Sequence, residues 1–327
     1  MASAGICFFA TGKSGLGHLR RTATIARCLR QIAPERVLRL ISNAPPDGLE
    51  PDDMAAFDAI QVTERADMPG AVLQGDGQIL VLDTIVVPGI ETLTAPLVLV
   101  LRETPEDQLG RFRLAGGREW DRVIVANPRS HWMPQGLAAR EVLPVGWIYR
   151  PTGVRQGRAA AVPQVLIATG GGGTADTAQA LYAAINDLLL QARKDGPQFH
   201  VVQAIGPRAL GFGRLPVADA VVDPGGRLNV CFREADVVLS TAGYNSVLEL
   251  ATTDTPTMLL PIQRSIDDQD ARARQWAPRL GAWHDAAAPE IALDWFVRQI
   301  ATPCRRPPVD LGPSGEGMAV AAILSLR

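Results

Sequence analysis

The sequence lacks paired cysteines, a net excess of charge of either sign, and any apolar run long enough to cross a membrane. Its four cysteines, Cys7, Cys28, Cys231 and Cys304, stand far apart and form no C-x-x-C pair. That argues against a zinc site and a disulfide framework, and fits a reducing compartment. Thirty-two basic residues nearly balance 34 acidic ones, for a formal charge of −2. Such a chain has no net field to hold a polyanion through its phosphates, so nucleic acid is not an expected partner. The run Gly5 to Ala10 is short, has no basic segment before it and leads into a glycine turn, unlike a secretory signal. No stretch approaches the roughly 18 apolar residues of a membrane span. These absences predict a cytoplasmic protein and leave peripheral contact with a membrane surface open.

What is present is ordinary for a globular chain: 327 residues, 47% hydrophobic and 20% charged, a length that points to two domains. Short apolar runs alternate with segments of helical period, the pattern of parallel sheets covered by helices. In the first half the expected strands are Ile6 to Ala10, Val37 to Ile41, Ile79 to Leu82, Leu97 to Leu101 and Arg122 to Ala126. A helix follows the first of them, with Leu19, Thr22, Ala23, Ala26 and Leu29 on one stripe. Between Tyr149 and Pro163 the rhythm stops, and Pro, Gly and Arg accumulate. It resumes with strands Val165 to Ala168, Phe199 to Val202, Val237 to Ser240 and Thr257 to Leu260. Helices are expected from Thr174 to Arg193, Asn245 to Thr252 and Asp267 to Arg279. The implied organisation is an N-terminal domain over 1–150, a linker over 151–163, a second doubly wound domain over 164–312 and a closing helix over 313–327. Two such α/β domains in tandem would place the carboxyl ends of their strands on either side of a cleft, so function is sought in the loops at those ends.

The first loop is Thr11-Gly-Lys-Ser-Gly-Leu-Gly-His-Leu-Arg-Arg21. It is not a Walker A loop, because Cys7 stands where the pattern requires its first glycine, and it is not a dinucleotide fingerprint, because Arg20 stands where the third glycine belongs. Gly15 and Gly17 allow close backbone approach ahead of a helix start. His18 then follows at a strand's carboxyl end and is the candidate base. Asp83, after the strand Ile79 to Leu82, is a second candidate for the base or for its orienting partner. Arg20 and Arg21 read as solvated helix residues, with a phosphate or an acidic acceptor as the other use for one of them.

The second loop carries Gly170, Gly171, Gly172, Gly173 and Thr174 directly after a strand. Four glycines remove every Cβ where a backbone would touch a diphosphate, and Thr174 is placed to cap the next helix. The third site combines Gly243, Tyr244, Asn245 and Ser246 at a helix start with Glu249 one turn on. A carboxylate at Glu249 suits the paired hydroxyls of a ribose, and an exposed helical glutamate fits the spacing equally well.

Gly243, Ser246 and Glu249, then Thr255-Pro256, then Pro261, Gln263, Asp268 and Gln269 resemble, in order and spacing, the donor site of GT-B glycosyltransferases. The family is the one that contains the peptidoglycan N-acetylglucosaminyltransferase and the plant galactolipid synthases. The resemblance is close over roughly residues 235 to 275. It implies two Rossmann-like domains facing a cleft and inverting transfer from a nucleoside-diphosphate sugar, a UDP-sugar, with the donor in the C-terminal domain. It also implies Glu249 on the ribose, Gly243 to Ser246 on the diphosphate, and Asp268 with Gln269 on the sugar. Gly15-Leu-Gly-His18 resembles the family's first loop, where the histidine lies beside the reacting centre. The form G-x-G-H-x-x-R, completed by Arg21, also resembles the nucleotide-sugar hydrolases of pseudaminic acid biosynthesis, in which water replaces the acceptor. Transferase and hydrolase both remain open at this loop, and an epimerase or a non-catalytic binding module are the remaining alternatives. The run Asp267-Asp-Gln-Asp270 begins a helix, whose N-terminus favours carboxylates, and is not read as a metal site. No cofactor is expected beyond the nucleotide-sugar itself. The acceptor is left as a small molecule, a peptide or a lipid-linked group.

Overall fold

A computed structural model describes residues 5–12, 15–72, 79–157, 161–170, 175–206 and 213–326. The chain divides into two compact units, Met1–Arg150 with Gly312–Arg327, and Pro151–Leu311.

In the first unit β1 (Ile6–Ala10) leads to α1 (Gly17–Ile32), followed by β2 (Leu38–Ser42), α2 (Pro51–Ala55), β3 (Ala59–Val62), α3 (Met68–Val72) and β4 (Ile79–Asp83). Three further strands follow, β5 (Leu97–Leu101), β6 (Arg122–Val125) and β7 (Val142–Pro144). All pair in parallel, in the order β3-β2-β1-β4-β5-β6-β7. The central strands explain themselves from sequence. The runs Ile-Cys-Phe-Phe-Ala of β1 and Leu-Val-Leu-Val-Leu of β5 are apolar and buried throughout, as strands covered on both faces must be. Helix α1 buries Leu19, Ala23, Ile25, Ala26 and Leu29.

The second unit runs β8 (Gln164–Ala168), α4 (Ala175–Asp195), β9 (His200–Ala204), β10 (Ala220–Val222), α5 (Leu228–Glu234) and β11 (Val237–Ser240). It continues with α6 (Tyr244–Ala251), β12 (Thr257–Leu259), α7 (Gln269–Leu280), β13 (Gly281–Trp283) and α8 (Pro289–Ala301). Its parallel sheet has the order β10-β9-β8-β11-β12-β13. In both sheets the first strand lies between the second and the fourth, the doubly wound order whose switch point lies between first and fourth strands.

The closing helix, α9 (Glu316–Leu324), belongs to the first unit and packs on α1. Its approach is stitched to the segment after β7: Gly315 N–H donates to the Trp147 carbonyl at 2.7 Å, and the Ser314 hydroxyl to the Tyr149 carbonyl at 2.9 Å.

The expected strands are present to within two residues at their ends, but β3, β7, β10 and β13 were not foreseen. Each lies at an edge of its sheet. An edge strand has one neighbour and incomplete cover: Ala59–Val62 is largely exposed and interrupted by Gln61, and Ala220–Val222 is partly exposed and, though apolar, only three residues long. Helix α8 was also missed, although Ala292, Phe296 and Ile300, its buried residues, recur every four positions.

At Gly315 an added Cβ would sit 2.2 Å from the Val145 carbonyl oxygen. Gly315→Ala should therefore displace the closing helix and destabilise the first unit by about 1–3 kcal/mol, the usual cost of overpacking. Urea unfolding of variant and wild type measures this, and equal midpoints would mean that the tail does not depend on this approach.

Candidate functional site

The first cluster lies at the switch point of the first sheet. Strand register pairs Ala10, the last residue of β1, with Asp83, the last of β4. The loop after β1 therefore begins beside the Asp83 carboxylate, and α1 starts at Gly17 with His18 in its first turn. His18 and Arg21 are three residues apart, a spacing that puts them on one helix face. Both reach Asp83. His18 Nδ1 lies 2.7 Å from Asp83 Oδ1, Arg21 Nε donates to Asp83 Oδ2 at 2.8 Å, and a second Arg21 nitrogen donates to Oδ1. The same guanidinium nitrogen donates to the Thr84 hydroxyl at 2.9 Å.

The carboxylate is only 2% exposed, and the imidazole 25%. Burial alone would raise the Asp83 pKa, but the Arg21 charge and the hydrogen bond and charge of His18 outweigh it and hold the carboxyl at about 2. Asp83 is therefore ionised at neutral pH. An acceptor fixed opposite Nδ1 selects the tautomer with its proton there and leaves the lone pair on Nε2, the arrangement a general base requires. Thr84, at φ 54°, is the one residue other than glycine with positive φ among the described residues. A β-branched residue is strained in that conformation by about 1–3 kcal/mol. Its side chain is held by Arg21, by Asp83 Oδ1 at 3.2 Å and by the Val100 carbonyl at 3.2 Å.

The second cluster lies at the equivalent end of the other sheet. Register pairs Ser240, the last residue of β11, with Ala168 of β8 and Leu259 of β12. The segments that follow β8, β11 and β12 thus leave the sheet side by side. Ser240 Oγ donates to the Ala168 carbonyl at 3.1 Å, and Thr241 Oγ1 to the Thr169 carbonyl at 3.4 Å. Gly170 has φ 61°, a left-handed conformation that glycine adopts without strain. Gly171, Gly172, Gly173 and Thr174 lie outside the described residues. Gly243 is the N-cap of α6, and Tyr244, Asn245 and Ser246 form its first turn. Asn245 and Ser246 precede Glu249 by four and three residues and share its helix face. Glu249 is 5% exposed, which removes the reading of it as a solvated surface carboxylate.

The segment before α7 is more mixed. Gln263 and Asp268 are exposed. Asp268 caps α7, accepting from the Ala271 N–H at 2.9 Å. Gln269 is buried, its amide accepting from the Ile262 N–H at 3.3 Å and donating to Asp267 at 3.1 Å. Its side chain braces this segment from within. Among the described residues, no group of three His, Cys, Asp or Glu is gathered to hold a metal ion, and no helix is long and apolar enough to cross a membrane.

Within the first unit the structure thus brings His18 and Asp83 together. Within the second it gathers Gly170, Gly243 to Ser246, Glu249, Gln263, Asp268 and Gln269 at one sheet end. Gly15 and Gly17 stand exposed beside His18. Arg21 corrects the sequence reading: it is buried on Asp83 rather than solvated. Its signal was its three-residue spacing from His18. Arg272 was not singled out, yet it is buried beneath the α6 loop. Nothing in its local sequence marks it.

No protein-family model matches this chain, and no curated protein matches it in sequence. Solved structures do match it in fold. A spinosyn rhamnosyltransferase complexed with thymidine diphosphate is 16% identical, with a TM-score of 0.57 over 97% of this chain and 95% of that one. The MurG protein of Acinetobacter baumannii is also 16% identical, with a TM-score of 0.55 over 98% of this chain and 100% of that one. A putative UDP-N-acetylglucosamine 2-epimerase from Listeria monocytogenes is 11% identical, with a TM-score of 0.57 over 99% and 96%. The chain has the GT-B fold, with two Rossmann-like parallel-sheet domains.

The depressed Asp83 carboxyl makes stability pH-dependent. Its pKa moves from the ordinary 3.8 to about 2 on folding. The stabilisation is therefore complete above pH 3.8, declines below it and is lost as pH falls through about 2, on the order of 2 kcal/mol in all. Asp83→Asn should lack this component, and it should already be less stable near pH 6 by about 3–5 kcal/mol because Arg21 is left buried without its counter-charge. Urea unfolding between pH 2 and 6 checks both, and parallel pH dependences for variant and wild type would exclude Asp83 as the responsible carboxyl.

Proposed function

We propose that the protein is an inverting glycosyltransferase that moves a sugar from a nucleoside-diphosphate donor, a UDP-sugar, to an acceptor hydroxyl. The observation that carries this reading is the His18 imidazole fixed by its Nδ1 on a buried, ionised Asp83 at 2.7 Å. The fold supports it more broadly. Solved structures similar to this chain include glycosyltransferases, one of them holding thymidine diphosphate. One is described as a putative epimerase, so the fold by itself does not choose the reaction.

In the proposed reaction the acceptor oxygen attacks the anomeric carbon from the face opposite the diphosphate. His18 Nε2 takes the acceptor's proton as the new C–O bond forms. The bond between the anomeric carbon and the phosphate oxygen breaks, and its electron pair leaves with the diphosphate. Asp83 orients the ring and stabilises the imidazolium that results. The second unit supplies the donor site. The glycine loop from Gly170 and the start of α6 at Gly243 to Ser246 offer N–H groups to the diphosphate. Glu249 takes the ribose hydroxyls, and Gln263 and Asp268 extend toward the sugar. The leaving charge is met by backbone N–H groups and helix dipoles, and no cofactor or metal ion is required in this scheme. Water in place of the acceptor uses the same base, and the G-x-G-H-x-x-R arrangement fits that hydrolase reading equally.

His18→Ala should retain nucleotide binding while turnover of the cognate nucleotide-sugar falls by roughly 10² or more; undiminished turnover would remove His18 as the base. Free sugar released at the full rate without acceptor would establish the hydrolase form. Glu249→Ala should weaken UDP binding by about 1–3 kcal/mol in calorimetry, and an unchanged affinity would take Glu249 out of the ribose site.

A further inference from the structure

This inference rests on the reading of the α6 loop as the diphosphate site. Arg272, on α7, is 4% exposed. One of its terminal nitrogens donates to the Ala242 carbonyl at 2.8 Å and lies 2.7 Å from Asp267 Oδ1. Asp267 in turn accepts from the Gln269 amide, which also accepts from the Ile262 N–H. A buried chain of polar contacts therefore runs from the segment after β12, through Asp267 and Arg272, to the peptide that opens α6.

That peptide matters because of its geometry. The bond between Ala242 and Gly243 is trans, no cis bond being present, so its C=O and N–H point in opposite directions. Arg272 draws the Ala242 carbonyl inward, and the Gly243 N–H must then face away from Arg272. None of the hydrogen bonds among the described residues uses that N–H. The first turn of α6, Tyr244 to Ser246, follows it directly. Were the peptide turned over, its carbonyl oxygen would face the same space and repel an anion. The guanidinium charge is balanced by Asp267 alongside it, so its influence passes through the peptide's orientation and not through direct attraction.

We propose that Arg272 is a positioning residue for the donor diphosphate, holding the Ala242 carbonyl inward so that Gly243 N–H joins the start of α6 in an anion-binding row, with Asp267 fixing the guanidinium. The consequence separates phosphate from nucleoside. Glu249 contacts the ribose in this reading and does not depend on the Ala242 peptide.

The test is calorimetric titration of the full chain with UDP and with uridine, for wild type, Arg272→Met and Arg272→Lys, with circular dichroism reporting the fold of each. Arg272→Met should lose roughly 10-fold or more in UDP affinity, the scale of a lost hydrogen bond to a charged group, while uridine affinity stays unchanged. Arg272→Lys, which keeps a donor for the carbonyl, should recover part of the loss. Should Arg272→Met fail to fold, Asp267→Asn, which releases the guanidinium from its counter-charge, is expected to narrow the gap between UDP and uridine in the same way. An unchanged gap in the variants, or equal losses for UDP and uridine, would overturn the proposal. A wild-type protein that binds uridine as tightly as UDP would refute the diphosphate reading itself, and the role of Arg272 with it.

Discussion

The buried carboxylate of Asp83 is the constraint around which the first unit's candidate site is built. An ionised group with almost no exposure is costly unless it is paired and hydrogen-bonded on all sides, and here the partners are specific. Arg21 supplies a counter-charge through two nitrogens, His18 a ring nitrogen and Thr84 a hydroxyl. Two of these partners come from the first two turns of one helix, so the start of α1 cannot shift without stranding the charge. The third accepts a left-handed backbone that its side chain disfavours. Strain of that size is retained because the network around Thr84 over-determines its position.

Topology explains why the partners meet. In a doubly wound sheet the first and fourth strands are neighbours, while the chain leaves them toward opposite faces. The first unit places Ala10 beside Asp83 at that point, and the second places Ala168 beside Ser240. The same register brings a helix start next to a strand end in each unit, once with a histidine and a carboxylate and once with glycines and a helix N-terminus. One architecture thus carries a histidine–carboxylate cluster in one unit and a glycine-flanked helix start in the other.

Much of this was legible in the sequence, and the limits of legibility are physical. Central strands read clearly because burial on both faces demands unbroken apolar runs such as Leu97–Leu101. The four strands that did not read, including Ala59–Val62 and Gly281–Trp283, are edges, where a partly exposed strand can be interrupted by a polar residue or be only three residues long. Among site residues, His18 and Asp83 were legible as types suited to proton transfer, but 65 residues of sequence separate them and only strand register closes that gap. Arg21 misled because an arginine on a helix is usually solvated. Arg272 gave no local signal, since its role lies in a carbonyl 30 positions away.

Arg21 also bears on what Asp83 can do for His18. Had the carboxylate faced the imidazole alone, its full charge would act on the ring. With a guanidinium bonded to both its oxygens, Asp83 is already compensated, and what it offers His18 is chiefly a hydrogen-bond acceptor at a fixed place. The pairing therefore acts through orientation: the ring is turned, its proton is assigned to Nδ1, and Nε2 is left as the basic nitrogen. An orienting carboxylate of this kind does not need to take the proton itself. It needs only to remain ionised and stationary, and burial against Arg21 secures both.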